Sequence, residues 1–328
     1  MPDILTLAGT NLASPIILSF ILGLCAALAR SDLSVPEAAA KAISLYLLFA
    51  IGFKGGASVA SHGIDAKLIA AVGAGLVLSF GLPFIAFGLL RLMTRLSRID
   101  AAAVAAHYGS ISIVTFVAAS SVLESRAIPA EGYMVAVAAA MEAPAILSAL
   151  WLVARSGTTT REPGLWREIL LNGSIVLLIG AFAIGMITGE KGLADISSFV
   201  VAPFKGVLCL FLLDMGLVAG RGLREQQQKP GSGLGFGAIS FAVMMPVVGC
   251  MAGLALGLLV GLSTGGVAML MVLAASASYI AVPAAMRVAL PQADPSIYLT
   301  LSLGVTFPFN LTVGIPIYIA LATAVTGA

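Results

Sequence analysis

Ten long apolar segments follow one another along this chain, and they constrain its fold more than any other feature. They cover residues 13–30, 38–53, 67–94, 101–124, 130–155, 168–189, 197–220, 234–262, 265–290 and 296–326. An α-helix needs about 20 apolar residues to cross a bilayer. The abundant small residues, among them 36 Gly, would let such helices pack closely in lipid. The sequence therefore predicts an all-α polytopic membrane protein with ten transmembrane helices.

The composition excludes several other classes of protein. Hydrophobic residues make up 60% of the chain and charged residues only 10%, whereas soluble domains have about 25% charged residues. The net charge of +2 comes from 17 Lys and Arg against 15 Asp and Glu, without a basic block, so no nucleic-acid partner is expected. Three Cys and two His show no metal-binding spacing. No nucleotide-binding motif or nucleophile–base pair is visible, which argues against an enzyme.

Basic residues in the connecting loops predict the orientation of the helices. They cluster after the third, fifth and seventh segments, at Arg91, Arg95, Arg98, Arg155, Arg161, Arg167, Arg221, Arg224 and Lys229. Lys and Arg are enriched in cytoplasmic loops. We therefore expect these loops in the cytoplasm and both termini on the other side of the membrane.

Similar sequences recur at an offset of 164 to 166 residues. The matching pairs are 47–56 with 211–220, 109–112 with 275–278, and Pro144 with Pro308. A cut in the polar stretch 156–167 leaves five segments in each half, and because five is odd the second half would enter the membrane inverted. The sequence predicts a five-plus-five inverted repeat (residues 1–155 and 168–328) joined by a cytoplasmic linker at 156–167. Many secondary transporters have such repeats.

Polar residues interrupt the fourth and ninth segments at equivalent places. The candidate substrate-binding residues are Ser110, Ser112, Thr115, Ser276, Ser278 and Tyr279. If both helices are discontinuous there, the N–H groups and the positive dipole end of a half-helix would hold a small anion. The alternative is that these hydroxyls bond carbonyl groups one turn earlier in unbroken helices.

Two carboxylates, Glu142 and Asp214, lie inside apolar segments. A charge near the middle of a membrane costs at least about 2.5–3.5 kcal/mol on insertion scales, so such a group is usually paired, protonated or bound to a cation. Glu142 aligns with Thr306, which shares a helical face with Asn310. Oxygen atoms of these residues suit a sodium ion. We expect a cation site at Glu142, Thr306 and Asn310, with Asp214 as a further candidate; the alternative is hydrogen bonding between helices.

Two more ionisable residues lie near predicted segment ends. His107 begins the polar stretch of the fourth segment, and we expect it at the cytoplasmic interface. Lys54 directly follows the second segment, and we expect its side chain to extend to the outer interface.

At these residues the chain resembles the sodium-dependent bicarbonate transporter family of bacteria. The similarity covers nearly the whole chain and is most specific at 274–283 and 290–298, with additional matches at 109–124 and 141–145. It implies ten helices in two inverted repeats, divided into a gate part and a core part, with bicarbonate and sodium held where two broken helices meet. It also implies a bacterial inner membrane location, a homotrimer and, as in cyanobacterial members, a PII-like cytoplasmic regulator.

The chain departs from the family pattern at specific positions. Tyr279 stands where cyanobacterial members have Asp, Ala281 replaces a Ser, and Glu142 stands for an Asp. Ser276 and Ser278 match the pattern. The resemblance therefore implies a site that is less polar and more crowded than in those members.

These features predict a secondary transporter of a small inorganic anion. Sodium-coupled bicarbonate uptake by alternating access is the first hypothesis. Two alternatives stay open: a proton-coupled transporter of another small anion or carboxylate, using Glu142 and Asp214, and a membrane sensor that binds the anion without moving it.

Overall fold

The computed structural model describes residues 13–63, 65–142, 144–154, 173–228, 234–279, 282, 283, 286 and 290–327. Within these residues every regular element is helical and there is no strand. The helices are α1 (Pro15–Leu28), α2 (Glu37–His62), α3 (Ala66–Met93), α4 (Arg98–His107), α5 (Ile113–Ser125), α6 (Met134–Ala140), α7 (Pro144–Ala154), α8 (Gly173–Asp195), α9 (Ser197–Val200), α10 (Phe204–Gln228), α11 (Phe236–Val260), α12 (Thr264–Ala275) and α13 (Pro295–Thr326).

The described chain has seven helical segments that are long and apolar enough to cross a membrane. They are α2, α3, α6 with α7, α8, α9 with α10, α11 and α13. Three shorter apolar helices, α1, α5 and α12, add to these. The prediction of an all-helical protein with many membrane spans is confirmed. The predicted linker at 156–167 lies outside the described residues.

Helices α1, α2, α8 and α10 form a group that we call the paired-helix group. In it α1 packs along α10, and α2 packs along α8. Glycines bring the backbones together, because a Cβ at Gly23 would overlap the Leu213 carbonyl oxygen and one at Gly185 would overlap that of Phe53. Close backbone approach through small residues is a common way for helices to associate in lipid.

The remaining long helices form a second group, which we call the broken-helix group. Helix α3 packs against α4, α7 and α11, and α12 packs against α11 and α13. Three helical paths in this group are interrupted. Residues 108–112 separate α4 from α5, α12 ends at Ala275, and the chain between α6 and α7 leaves the helix at Met141 and Glu142.

The interruption between α6 and α7 differs from the sequence prediction, which treated residues 130–155 as one segment. Pro144 is the first residue of α7. A proline has no N–H to donate, and its ring collides with the carbonyl four residues earlier, so it favours the first turn of a new helix.

Helix α13 stays continuous but changes its hydrogen-bond pattern twice. Thr300–Thr306 and Asn310–Gly314 are π-helical. These stretches precede Pro308 and Pro316, which lack the N–H needed for a regular ladder. Such π turns often occur at functional positions.

Candidate functional site at the helix breaks

The two predicted breaks meet in the middle of the broken-helix group. The Ser112 N–H donates to Ser276 Oγ over 2.9 Å. The Ser278 N–H donates to the His107 carbonyl oxygen over 2.8 Å. The end of α4, the start of α5 and the chain after α12 are therefore joined through backbone groups that a continuous helix would have used internally.

Serine hydroxyls terminate the helices at both breaks. Ser112 is the N-cap of α5, and its Oγ accepts from the Thr115 N–H (3.2 Å) and the Thr115 hydroxyl (2.9 Å). Ser276 Oγ donates to the Leu273 carbonyl oxygen over 2.8 Å. Ser278 Oγ accepts from the Val282 N–H over 3.4 Å. The hydroxyls thus replace hydrogen bonds that the backbone loses where each helix stops.

Several buried polar atoms at the breaks lack a protein partner in the described part of the chain. These are Ser110 Oγ, His107 Nε2 and Glu142 Oε2. The Tyr279 hydroxyl lies beside Ser112 but does not reach hydrogen-bond geometry. Native proteins rarely leave such groups unsatisfied, so this cluster indicates a place for a ligand, an ion or water.

Helix α3 holds the first break next to Glu142. Ser79 Oγ donates to the Met141 carbonyl oxygen over 2.7 Å. A Cβ at Gly109 would overlap the Pro83 ring and would lie 2.8 Å from the Ser79 carbonyl oxygen. Residues 108–112 and the interruption at Met141 therefore both contact α3 at Ser79. The sequence analysis did not predict this role of Ser79. The signal was a single serine in an apolar helix, one turn before a proline.

Thr306 and Asn310 tie α13 to the same region. The Thr306 hydroxyl donates to the Ala242 carbonyl oxygen (2.6 Å) and bonds the Tyr108 hydroxyl (2.7 Å). Asn310 Nδ2 donates to the Ala275 carbonyl oxygen over 2.9 Å. These hydrogen bonds link helices, as the alternative to a cation site expects. A cation site shared by Thr306, Asn310 and Glu142 stays a prediction.

Asn310 Oδ1 also accepts from the Tyr318 hydroxyl over 2.8 Å. Both side chains of α13 are thus fixed in orientation next to the ends of α4 and α12. Tyr108 and Tyr318 were not predicted, because each reads as an ordinary apolar position until its hydroxyl partner is known.

Asp214 lies elsewhere. It is a buried residue of α10, in the paired-helix group. Its role in coupling stays a prediction.

The expected interfacial position of His107 is wrong, because its side chain is fully buried. The ring stacks on Tyr298 with centroids 4.5 Å apart, and Nδ1 lies 2.6 Å from the Ala103 carbonyl oxygen. The small residues of α4, a run of Ala before His107, let neighbouring helices enclose it.

No cluster of three or more His, Cys, Asp or Glu that could hold a metal ion occurs among the described residues. The three cysteines are not paired with one another. Binding of a coupling ion by Glu142 stays a prediction; the hydroxyl, amide and carbonyl oxygens at the breaks are of the kind that suits a hard cation.

An all-helical membrane protein with polar, discontinuous helices meeting in its interior has the architecture of a secondary transporter. Residues 15–323 match the Na+-dependent bicarbonate transporter superfamily, and the chain belongs to this superfamily. The resemblance found in the sequence is confirmed over nearly the whole chain. Membership implies a membrane transporter of a small anion rather than an enzyme. No curated protein matches the chain.

Proposed function

We propose that the protein takes up bicarbonate together with sodium across the bacterial plasma membrane, by alternating access. The anion would lie between the two breaks, in contact with Ser110, Ser112, Ser276, Ser278 and Tyr279. Sodium would lie at Glu142. Because the substrate is negative, a bound sodium would neutralise it during the crossing, and the sodium gradient would supply the energy.

One observation supports this proposal most strongly: of the five buried polar side-chain atoms without a partner in the described residues, all but the Tyr133 hydroxyl belong to residues at or next to the helix breaks. Ser110 and Tyr279 offer hydroxyl donors, which suit the oxygens of bicarbonate. Glu142 Oε2 offers an acceptor, which suits a cation. The breaks therefore offer hydrogen-bond donors for the anion and an acceptor oxygen for its coupling cation.

Helix pairing supports the proposed five-plus-five inverted repeat. In such a repeat α1 of the first half corresponds to α8 of the second, and α2 corresponds to α10. The packing of α1 on α10 should therefore recur as the packing of α8 on α2, and both contacts are present. The same correspondence relates α3 with α4 to α11 with α12, which also pack together. Pro83 and Pro246 lie inside the corresponding helices α3 and α11, at an offset of 163 residues (246 − 83).

In this proposal the broken-helix group is the core that carries the anion, and the paired-helix group is the gate. The glycine contacts within the gate would keep it rigid while the core moves. We further propose that both termini lie outside the cytoplasm. The resemblance to cyanobacterial members supports a homotrimer with a PII-like regulator on its cytoplasmic face.

Reconstituted vesicles test the function. Labelled bicarbonate should enter faster under an inward sodium gradient than with equal sodium on both sides. Uptake that follows a proton gradient and ignores sodium would support the proton-coupled alternative instead. Binding without uptake under either gradient would support the sensor.

A further inference from the structure

A cavity of about 760 Å³ opens between the two helix groups. Its wall is formed by α2, by α5 with the loop that follows it, and by the start of α10. Phe116 and Val117 belong to this wall and follow Ser112 by four and five residues. The wall therefore begins about one helical turn from the first break. In the proposed topology the cavity lies between that break and the outside of the cell.

Lys54 places a positive charge in this wall. Helix α2 continues for eight residues beyond it (62 − 54), so the residue lies about 12 Å from the helix end. Its Nζ lies 5.4 Å from the centroid of the Phe204 ring. The side chain is half-buried over this ring, and its extension to the outer interface stays a prediction.

A cation inside a membrane span normally pairs with a carboxylate or faces water. The ring of Phe204 attracts the ammonium group through its π face. It accepts no conventional hydrogen bond, so the three N–H donors of Lys54 still need partners. An anion in the cavity would provide them.

The other charged side chains of the wall already have partners. Lys205 Nζ lies 3.9 Å from Glu124 Oε2. The Glu131 carboxylate accepts from the Ser263 N–H (2.7 Å) and the Ser263 hydroxyl (2.8 Å). Lys54 forms no ion pair within the described ranges. The charges of the wall sum to zero, but Lys54 is the charged side chain of the wall for which the described residues show neither an ion pair nor a hydrogen bond.

We propose that Lys54 forms an entry site that collects a small inorganic anion on the outer side before it reaches the breaks. A positive charge in a cleft with apolar walls raises the local concentration of anions. Ser121 also lines the cavity and would supply a neutral hydroxyl. The identity of the anion as bicarbonate rests on the proposed function. The attraction of anions by Lys54 does not depend on it.

Thiol modification tests the attraction directly. Ser121→Cys, in the full chain with Cys25, Cys209 and Cys250 replaced, would be labelled with an anionic sulfonatoethyl thiosulfonate and with a neutral reagent of similar size. We expect the anionic reagent to be favoured, and Lys54→Met to lower the ratio of the two rates about tenfold, which lies within the range for electrostatic steering. Lys54→Arg should keep the ratio.

Lys67→Met is the matched control, because Lys67 donates to the Gly261 carbonyl oxygen (3.3 Å) and does not line the cavity. It should leave the ratio unchanged. If the Lys54→Met variant has the same ratio of labelling rates as the protein with Lys54, the proposal is overturned. Because this assay needs no transport, it decides the question even if the protein does not carry bicarbonate.

Bicarbonate uptake then tests the identity of the anion. Lys54→Met should raise KM for external bicarbonate about tenfold and leave kcat nearly unchanged, and Lys54→Arg should restore KM. An unchanged KM would overturn Lys54 as the entry site for bicarbonate. Absence of uptake by the unmodified protein would instead count against the proposed function.

Discussion

Glu142 is a buried carboxylate at a helix interruption, and one of its oxygens has no partner in the described structure. Ser79 fixes the neighbouring Met141 carbonyl, so the backbone that presents Glu142 is held by α3. A carboxylate placed in this way can bind a cation, whereas a carboxylate that only links helices would already be bonded.

Glu142→Gln keeps the shape of the side chain and removes its charge. If sodium binds the carboxylate, sodium-driven uptake should fall at least tenfold, which corresponds to about 1.4 kcal/mol, while expression and oligomeric state stay unchanged. Initial uptake rates at several sodium concentrations measure this effect. Glu190→Gln, at an exposed position of α8, is the control. A normal rate with normal sodium dependence would leave Asp214 as the next candidate.

The serines at the breaks are expected to contribute individually. Ser112→Ala or Ser278→Ala removes one hydroxyl, with a loss of roughly 0.5–1.5 kcal/mol, so anion affinity should fall about two- to tenfold. Ser112→Leu or Ser278→Leu should abolish binding by filling the space. Binding isotherms measure both effects, with exposed Ser125→Leu as the control. Normal binding by the Leu variants would place the anion elsewhere.

At the scale of elements, the breaks at residues 108–112 and after Ala275 could be predicted because paired serines interrupt otherwise apolar helices. The interruption before Pro144 was missed, although a proline marks it, because the apolar run continues on both sides. The burial of His107 could not be predicted either. It depends on Tyr298 and on backbone contacts made by residues far away in the sequence.

Gly109 is the element-scale contact with the clearest consequence. A side chain there would overlap the ring of Pro83, so Gly109→Ala should separate α3 from the first break. We expect a thermal unfolding temperature several degrees lower, and weaker anion binding. Gly88 lies in α3 itself with open space around it, so Gly88→Ala should be neutral or slightly stabilising. Equal stability of the two variants would show that the contact is unimportant.

At the scale of the whole molecule, the hydrophobic pattern was sufficient to predict helices in every apolar segment. It could not predict which helices pair, because the match of Gly23 with Leu213 and of Gly185 with Phe53 depends on backbone shape rather than on composition. The Lys54 cavity also arises only when the two groups of helices meet.

The inverted repeat makes a prediction about sidedness. Thr160→Cys should react with a membrane-impermeant thiol reagent only from the cytoplasmic side, and Ser125→Cys only from the outside. Right-side-out and inside-out vesicles of a cysteine-free background measure this. Labelling of residue 160 from outside would contradict both the orientation and the five-plus-five arrangement, because each was derived from the same loops.

Accumulation of bicarbonate is the most direct test of sodium coupling. Sealed vesicles containing the purified protein would receive labelled bicarbonate at constant pH and zero membrane potential, with sodium first on the outside only and then on both sides. We predict that bicarbonate rises inside above its outside concentration only under the sodium gradient, and that Glu142→Gln vesicles merely equilibrate. Equal inside and outside concentrations for the unmodified protein under the gradient would contradict sodium-coupled transport.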